Sequence, residues 1–199
     1  MNLPNKLTIF RIILVPIMII IPFLGIQGEI FNIPIACIII DLIFIIASIT
    51  DQLDGHIARS RNQITTFGKF LDPIADKVLV VTAMIILVEM GRLPAWIPSI
   101  VVFREFIVSG YRLIAVQSNG NVIAANIWGK IKTVTQMIAI ILAFIDINKY
   151  GAIFTTKELT AFSFALNLTT TIIMTVSVIA TIFSGWEYIK NGKDLLNDM

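Results

Sequence analysis

The sequence predicts an all-α integral membrane protein with six transmembrane helices and both termini in the cytoplasm. Of its 199 residues, 57% are hydrophobic and only 14% are charged, and the mean hydropathy is +0.89. A soluble domain of this length cannot bury so much apolar surface, and its helices would be apolar along one stripe only. The long stretches here are apolar on all sides, which is typical of helices that face lipid.

Six stretches of about 20 residues are each long enough to cross the hydrocarbon core of a bilayer. Glycines and prolines separate several of them. We predict spans at 7–24, 32–53, 66–89, 94–116, 128–147 and 159–184, which form one domain over residues 1–199. An even number of spans places both termini on the same side of the membrane.

The distribution of lysine and arginine predicts which side that is. Most of these cations lie on the side of the termini, whereas the opposite loops carry only Arg92, Lys149 and Lys157. The positive-inside rule then places the termini in the cytoplasm of a protein that crosses the cell membrane several times. A net charge of +2 is too small to indicate nucleic-acid binding, and the lone Cys37 excludes an intrachain disulfide.

Four aspartates lie near the cytoplasmic ends of spans two and three: Asp51, Asp54, Asp72 and Asp76. Ionisable residues in membrane helices are costly, and they mark functional sites. Their spacings of three and four residues put each pair on one helix face. Because a short loop makes the two helices antiparallel, the four carboxylates can converge. Such a cluster needs positive ions, and oxygen ligands alone favour Mg²⁺ or Mn²⁺, of which we predict two.

The residues between the two pairs indicate phosphate binding. Gly55 and Gly68 carry no side chain where a bulky ligand can approach the backbone. Arg59 and Arg61 supply guanidinium groups that suit phosphate oxygens. Metal ions and arginines together indicate phosphoryl chemistry.

The whole pattern resembles the signature of the CDP-alcohol phosphotransferase family. Every fixed position of that signature is matched over residues 51–76, as Asp51-x2-Asp54-Gly55-x2-Ala58-Arg59-x8-Gly68-x3-Asp72-x3-Asp76. The resemblance implies a six-helix bundle, usually a homodimer, whose aspartates bind two metal ions beneath the diphosphate of a CDP-activated lipid. It implies that all four aspartates are metal ligands and that Asp76 is also the candidate general base. It implies a CDP-lipid site lined by Asp54, Gly55, Ala58, Arg59 and Gly68.

The signature does not specify the acceptor alcohol, so we predict it from cations elsewhere. Arg104 and Arg112 lie in the fourth span, Lys130 and Lys132 begin the fifth, and Arg11 lies in the first. If their side chains reach the cytoplasmic cavity, they form an anion pocket, which a phosphate-bearing acceptor needs and serine or choline does not. This favours glycerol 3-phosphate or an inositol phosphate.

Segments outside the signature favour glycerol 3-phosphate. Residues 2–8, 104–110 and 129–136 resemble members of the family that use this acceptor. We therefore predict transfer of the phosphatidyl group from CDP-diacylglycerol to glycerol 3-phosphate. Serine, an inositol phosphate or a phospholipid are the alternative acceptors.

Other interpretations of individual residues stay open. Lys130 and Lys132 also fit a role as interfacial anchors. Arg104 and Glu105 could form a pair, but neighbours on a helix point apart, which predicts a different partner for each. Asp41, in the middle of span two, and His56, inside the signature, have no assigned role.

Two other classes of function compete with the enzyme. A divalent-cation transporter also uses carboxylates within the membrane, but it needs polar groups through the full membrane depth. The acidic cluster here stays at one side. A membrane scaffold without catalytic activity does not explain why four carboxylates are kept together, so the enzyme is favoured.

Overall fold

The computed structural model describes residues 3–60, 66–117, 127–155 and 159–191, with side chains except at 3–4, 52–60, 66–70, 72–73, 112–117 and 191. These residues form six α-helices, a two-stranded antiparallel hairpin and two 3₁₀ turns. The helices are α1 (Leu3–Ile20), α2 (Ile35–Ser60), α3 (Thr66–Glu89), α4 (Trp96–Gln117), α5 (Ile127–Ile145) and α6 (Ala161–Asn191). The strands are β1 (Glu29–Ile30) and β2 (Ile33–Pro34), and the 3₁₀ turns are Ile21–Leu24 and Ala152–Phe154.

Each predicted span overlaps one of the six helices. The largest differences from the predicted spans lie at two C-terminal ends, where α2 continues to Ser60 and α6 continues to Asn191. Among the described residues, three helical stretches are long and apolar enough to cross a membrane: Asn5–Leu24, Ile127–Ile145 and Ala161–Lys190. The chain is therefore an α-helical membrane protein, while the six-span arrangement and the side of the termini stay predictions.

The described residues pack as two compact units. The first lies within residues 1–93 and 140–149, and the second within 94–139 and 150–199. In the first unit, α1 packs against α2 and α3. In the second unit, α4 packs against α6.

In the first unit, the buried side of α1 changes character along its length. Its first half buries the polar residues Asn5, Thr8 and Arg11, spaced three apart, and its second half buries Leu14, Val15 and Met18. A spacing of three to four residues keeps one helix face toward the interior. The first unit thus has a polar region near the start of α1 and an apolar core beyond it.

Arg92 joins two helix ends within the first unit. It follows Gly91, which adopts a left-handed φ of 68° just after α3 ends. The buried Arg92 guanidinium donates to the carbonyl oxygens of Phe144 at 2.7 Å and Ala143 at 3.4 Å. A cation at a helix C-terminus satisfies carbonyls that have no partner in the helix itself. Arg92 is therefore structural.

Candidate active site

The structure places two of the four predicted metal-binding carboxylates. Asp51 lies in α2 with 29% of its side chain exposed, and Asp76 lies half-buried in α3. These two helices contact each other. Asp54 and Asp72 belong to the same helices, but their side chains lie outside the described residues. The four-carboxylate cluster therefore stays a prediction.

The residues predicted to line the CDP-lipid site, Gly55, Ala58, Arg59 and Gly68, also lie outside the described side chains, although all four belong to α2 or α3. Within the described side chains, no group of three or more His, Cys, Asp or Glu residues comes together. Asp51 and Asp76 are therefore the members of the predicted cluster whose side chains the structure describes.

Arg11 forms an ion pair with one of these aspartates. Its Nη1 lies 2.6 Å from Asp51 Oδ1, and its side chain is 0% exposed. The sequence predicts that Arg11 belongs to the acceptor pocket but does not indicate this contact with Asp51. The guanidinium places a fixed positive charge against a predicted metal ligand, and its role toward the acceptor stays a prediction.

We expect Arg11→Met to destabilise the protein. The substitution removes a charge-assisted contact in which the guanidinium is fully buried, at a cost of about 2 kcal/mol. Thermal unfolding in detergent micelles, followed by circular dichroism, should show a midpoint several degrees lower. Lys6→Met is the matched control, because Lys6 is an exposed cation on the same helix. Equal midpoints for the two variants would mean that the pair contributes no stability.

In the second unit, three charged side chains from α4 and α5 form one network. Arg104 Nη1 lies 2.9 Å from Glu105 Oε1, and Lys132 Nζ lies 2.6 Å from the same oxygen. All three side chains are at least 86% buried, with exposures of 12%, 14% and 9%. Two cations thus share one carboxylate, and the three residues carry a net charge of +1.

The expectation that Arg104 and Glu105 do not pair is wrong, although each also contacts a second residue on another helix. Their Cα–Cβ bonds diverge on the helix, but an arginine side chain is long and flexible enough to turn its guanidinium toward a neighbouring carboxylate. The shared contact with Lys132 also favours this arrangement, because Glu105 lies between two cations. Helix geometry therefore fixes only the direction in which each side chain starts.

Arg104 also contacts α6, and one of its N–H groups has no partner in the described part of the chain. Nη2 lies 2.5 Å from Ser184 Oγ, and the guanidinium carbon lies 5.8 Å from the centre of the Tyr188 ring. The buried Nε finds no hydrogen-bond acceptor there. An unpaired buried donor is unfavourable. An external oxygen atom, such as one of a phosphate group, would satisfy this donor.

Comparison with known proteins gives the family. The model of the CDP-alcohol phosphatidyltransferase family matches residues 1–183. The chain belongs to this family. The match includes the aspartate signature and the Arg104–Glu105–Lys132 network, and it ends one residue before Ser184.

The chain is similar to curated members of the family along nearly its whole length. It is 43% identical to a CDP-diacylglycerol–glycerol-3-phosphate 3-phosphatidyltransferase of Bacillus subtilis, over 98% of this chain and 97% of the relative. It is 37% identical to the protein of the same name from Haemophilus influenzae, over 99% and 96%. A third relative of that name, from Rickettsia bellii, is 35% identical over 95% and 94%.

The remaining cations predicted for the acceptor site of this CDP-alcohol phosphatidyltransferase differ in their surroundings. Lys132 is buried and paired, whereas Lys130 is exposed on α5. The side chain of Arg112 lies outside the described residues. Lys130 and Lys132 have the same predicted role, but only Lys132 is buried.

We expect Lys132→Met to impair this phosphatidyltransferase more than Lys130→Met. Removing Lys132 takes a positive charge from a poorly solvated network, so kcat/KM for the acceptor should fall roughly tenfold or more. Exposed charges are screened by water, and removing Lys130 should change kcat/KM by less than about threefold. Steady-state kinetics on both variants provide the measurement. Equal losses would contradict the role of burial.

The sequence does not indicate that α6 contributes residues around Arg104. Ser184, Gly185 and Tyr188 lie around Arg104, but none carries a charge and none belongs to the signature. One available signal was the small Ser-Gly pair between Phe183 and Trp186 near the end of an apolar helix. Small residues in membrane helices often allow a neighbouring group to approach closely.

Proposed function

We propose that the chain transfers the phosphatidyl group of CDP-diacylglycerol to glycerol 3-phosphate, releasing CMP and forming phosphatidylglycerol phosphate. The observation that favours a phosphate-bearing acceptor is the buried, unpartnered Nε–H of Arg104 in the described part of the chain, within a network of net positive charge. A phosphate oxygen supplies both the negative charge and the hydrogen-bond acceptor that this position lacks.

The relatives support the same assignment. The names of the Bacillus, Haemophilus and Rickettsia proteins specify CDP-diacylglycerol and glycerol 3-phosphate, and each is similar over at least 94% of both chains. Similarity of this extent includes the segments around Arg104 and Lys132 as well as the signature. It therefore favours the same acceptor over serine, an inositol phosphate or a phospholipid.

Asp51 and Asp76 have the ligand chemistry that a divalent metal prefers. Asp51 and Asp76 offer carboxylate oxygens that are neither fully buried nor fully exposed, and oxygen ligands suit Mg²⁺ or Mn²⁺. In the proposal, these two residues and Asp54 and Asp72 hold two such ions. Bound there, the ions supply positive charge that stabilises the phosphoryl oxygens.

In the proposal, residues of the protein bind the two substrates and accept the proton. Gly55, Ala58, Arg59 and Gly68 bind the CDP part of the lipid, and the Arg104 network holds the phosphate of the acceptor. The hydroxyl oxygen of glycerol 3-phosphate attacks the phosphorus that carries the diacylglycerol, and the bond from that phosphorus to CMP breaks. Asp76 takes the hydroxyl proton as general base. Holding both substrates in line accounts for much of the rate gain in such a transfer.

The proposal includes an arrangement in the membrane. Six spans with both termini in the cytoplasm place the start of α3 and the end of α2 on the cytoplasmic side of the cell membrane. The lipid substrate then enters from the bilayer, while glycerol 3-phosphate arrives from the cytoplasm. Two copies of the chain form a homodimer, as the family pattern implies.

The test is a transfer assay on purified full-length protein in micelles that contain CDP-diacylglycerol. Labelled glycerol 3-phosphate should appear in a lipid product in step with CMP release. EDTA should abolish both, and Mg²⁺ or Mn²⁺ should restore them. Myo-inositol phosphate and serine are offered in parallel. CMP release with one of these and none with glycerol 3-phosphate would keep the chemistry and reject the acceptor, and no CMP release with any alcohol would reject the enzyme.

A further inference from the structure

The Arg104 side chain crosses from α4 to α6, where it meets two small residues. Its Nη2 lies 2.5 Å from Ser184 Oγ, and both Ser184 and Gly185 are buried. A Cβ added at Gly185 would lie 3.3 Å from Arg104 Cγ and 3.9 Å from Arg104 Cβ. The missing side chain at position 185 therefore leaves space that the aliphatic part of Arg104 occupies.

The hydroxyl of Ser184 has a different kind of partner from the hydroxyls of four threonines on α6. Four threonines donate to the carbonyl oxygen four residues earlier in the helix, namely Thr169, Thr170, Thr175 and Thr181. Among the described residues, the Ser184 hydroxyl contacts Arg104 instead. A guanidinium has only donors, so Nη2 donates and Oγ accepts. Ser184 thus acts on Arg104 and not on its own helix.

We propose that Ser184 and Gly185 are positioning residues that hold the Arg104 guanidinium ready for the phosphate of the acceptor. This inference rests on the proposed function. Fixing a long side chain costs conformational entropy. Glu105 contacts Nη1 and Ser184 contacts Nη2, so the side chain has lost most of this entropy before the acceptor binds. The acceptor phosphate therefore binds more tightly. Gly185 keeps the path of the side chain open.

Two substitutions test the two contacts. Ser184→Ala removes a hydrogen bond to a charged group, and KM for glycerol 3-phosphate should rise about tenfold. Gly185→Ala puts a methyl group 3.3 Å from Arg104 Cγ, so the side chain must shift and the same KM should rise. In both variants kcat and KM for CDP-diacylglycerol should stay close to wild type. That difference separates positioning from a general loss of structure.

The chain offers a matched control for each variant. Ser177→Ala makes the same change at a buried serine on α6 whose Oγ has no partner among the described residues. Gly110→Ala adds a methyl group on α4 where nothing lies within 4 Å. Both controls should keep the wild-type KM values. A rise in the acceptor KM of Ser177→Ala equal to that of Ser184→Ala would overturn the proposal.

A second measurement does not depend on turnover. Phenylglyoxal modifies arginine, and mass spectrometry of the peptide that contains Arg104 gives its labelling rate. We expect several-fold faster labelling in Ser184→Ala than in wild type or Ser177→Ala. Equal rates would overturn the positioning of Arg104. If wild type transfers nothing to glycerol 3-phosphate, the proposed acceptor fails, and the labelling rates still decide whether Ser184 holds Arg104.

Discussion

Asp76→Asn should reduce the transfer rate by roughly 10³-fold, within the range that a general base contributes. Asparagine has nearly the shape of aspartate, but it cannot take a proton from the acceptor hydroxyl and has no negative charge for a metal ion. Asp76 lies half-buried in α3, so the isosteric change should leave the fold intact. The rate of CMP release at saturating glycerol 3-phosphate is the measurement.

A metal titration distinguishes the two roles of Asp76. If the residue is only a ligand, high Mn²⁺ should restore most of the rate of Asp76→Asn, because weaker binding is overcome by concentration. If it is the general base, no Mn²⁺ concentration restores the rate. We expect the second result.

Asp41→Asn is the matched control for Asp76→Asn. Asp41 is a buried carboxylate on α2, outside the signature, and its Oδ1 has no hydrogen-bond partner among the described residues. An amide at this position breaks no described contact, so activity should stay close to wild type. A loss as large as that of Asp76→Asn would show that carboxylates in this unit act through stability and not through chemistry.

The sequence predicted the helices well because a helix that faces lipid must be made of apolar residues, and hydropathy detects them. The predicted spans at 66–89 and 94–116 differ little from Thr66–Glu89 and Trp96–Gln117. The ends of α2 and α6 differed by seven residues each, at Ser60 and Asn191. Hydropathy marks where lipid ends, whereas a helix ends where its backbone hydrogen bonds stop, and polar residues can continue it into water.

The partners of the site residues could not be predicted in the same way. Arg11 meets Asp51 because α1 packs against α2, and Arg104 meets Ser184, which is 80 positions away. Contacts of this kind depend on how helices are placed side by side, and a local pattern holds no such information. The charge of Arg104 and Lys132 predicted a role in binding the acceptor phosphate. That Glu105 lies between them is visible only in the packed structure.

Arg104→Gln should lower kcat/KM for glycerol 3-phosphate by roughly 100-fold, the lower end of the cost of removing one partner from a buried, hydrogen-bonded charge pair. The substitution removes the buried Nε–H and leaves Ser184 Oγ without its partner. Arg104→Lys keeps the charge but loses the planar array of donors, so its loss should be intermediate. KM for CDP-diacylglycerol should change little in both variants.

Glycerol provides the decisive comparison for Arg104→Gln, because it has the hydroxyl of the acceptor without the phosphate. If Arg104 binds that phosphate, the variant should lose rate with glycerol 3-phosphate and have the same rate as wild type with glycerol. The preference for glycerol 3-phosphate over glycerol then falls by the same factor as kcat/KM. Lys190→Gln, an exposed cation on α6, should leave both rates unchanged. Parallel losses with both acceptors would mean that Arg104 supports the catalytic step or the fold, and the acceptor phosphate would have to bind elsewhere.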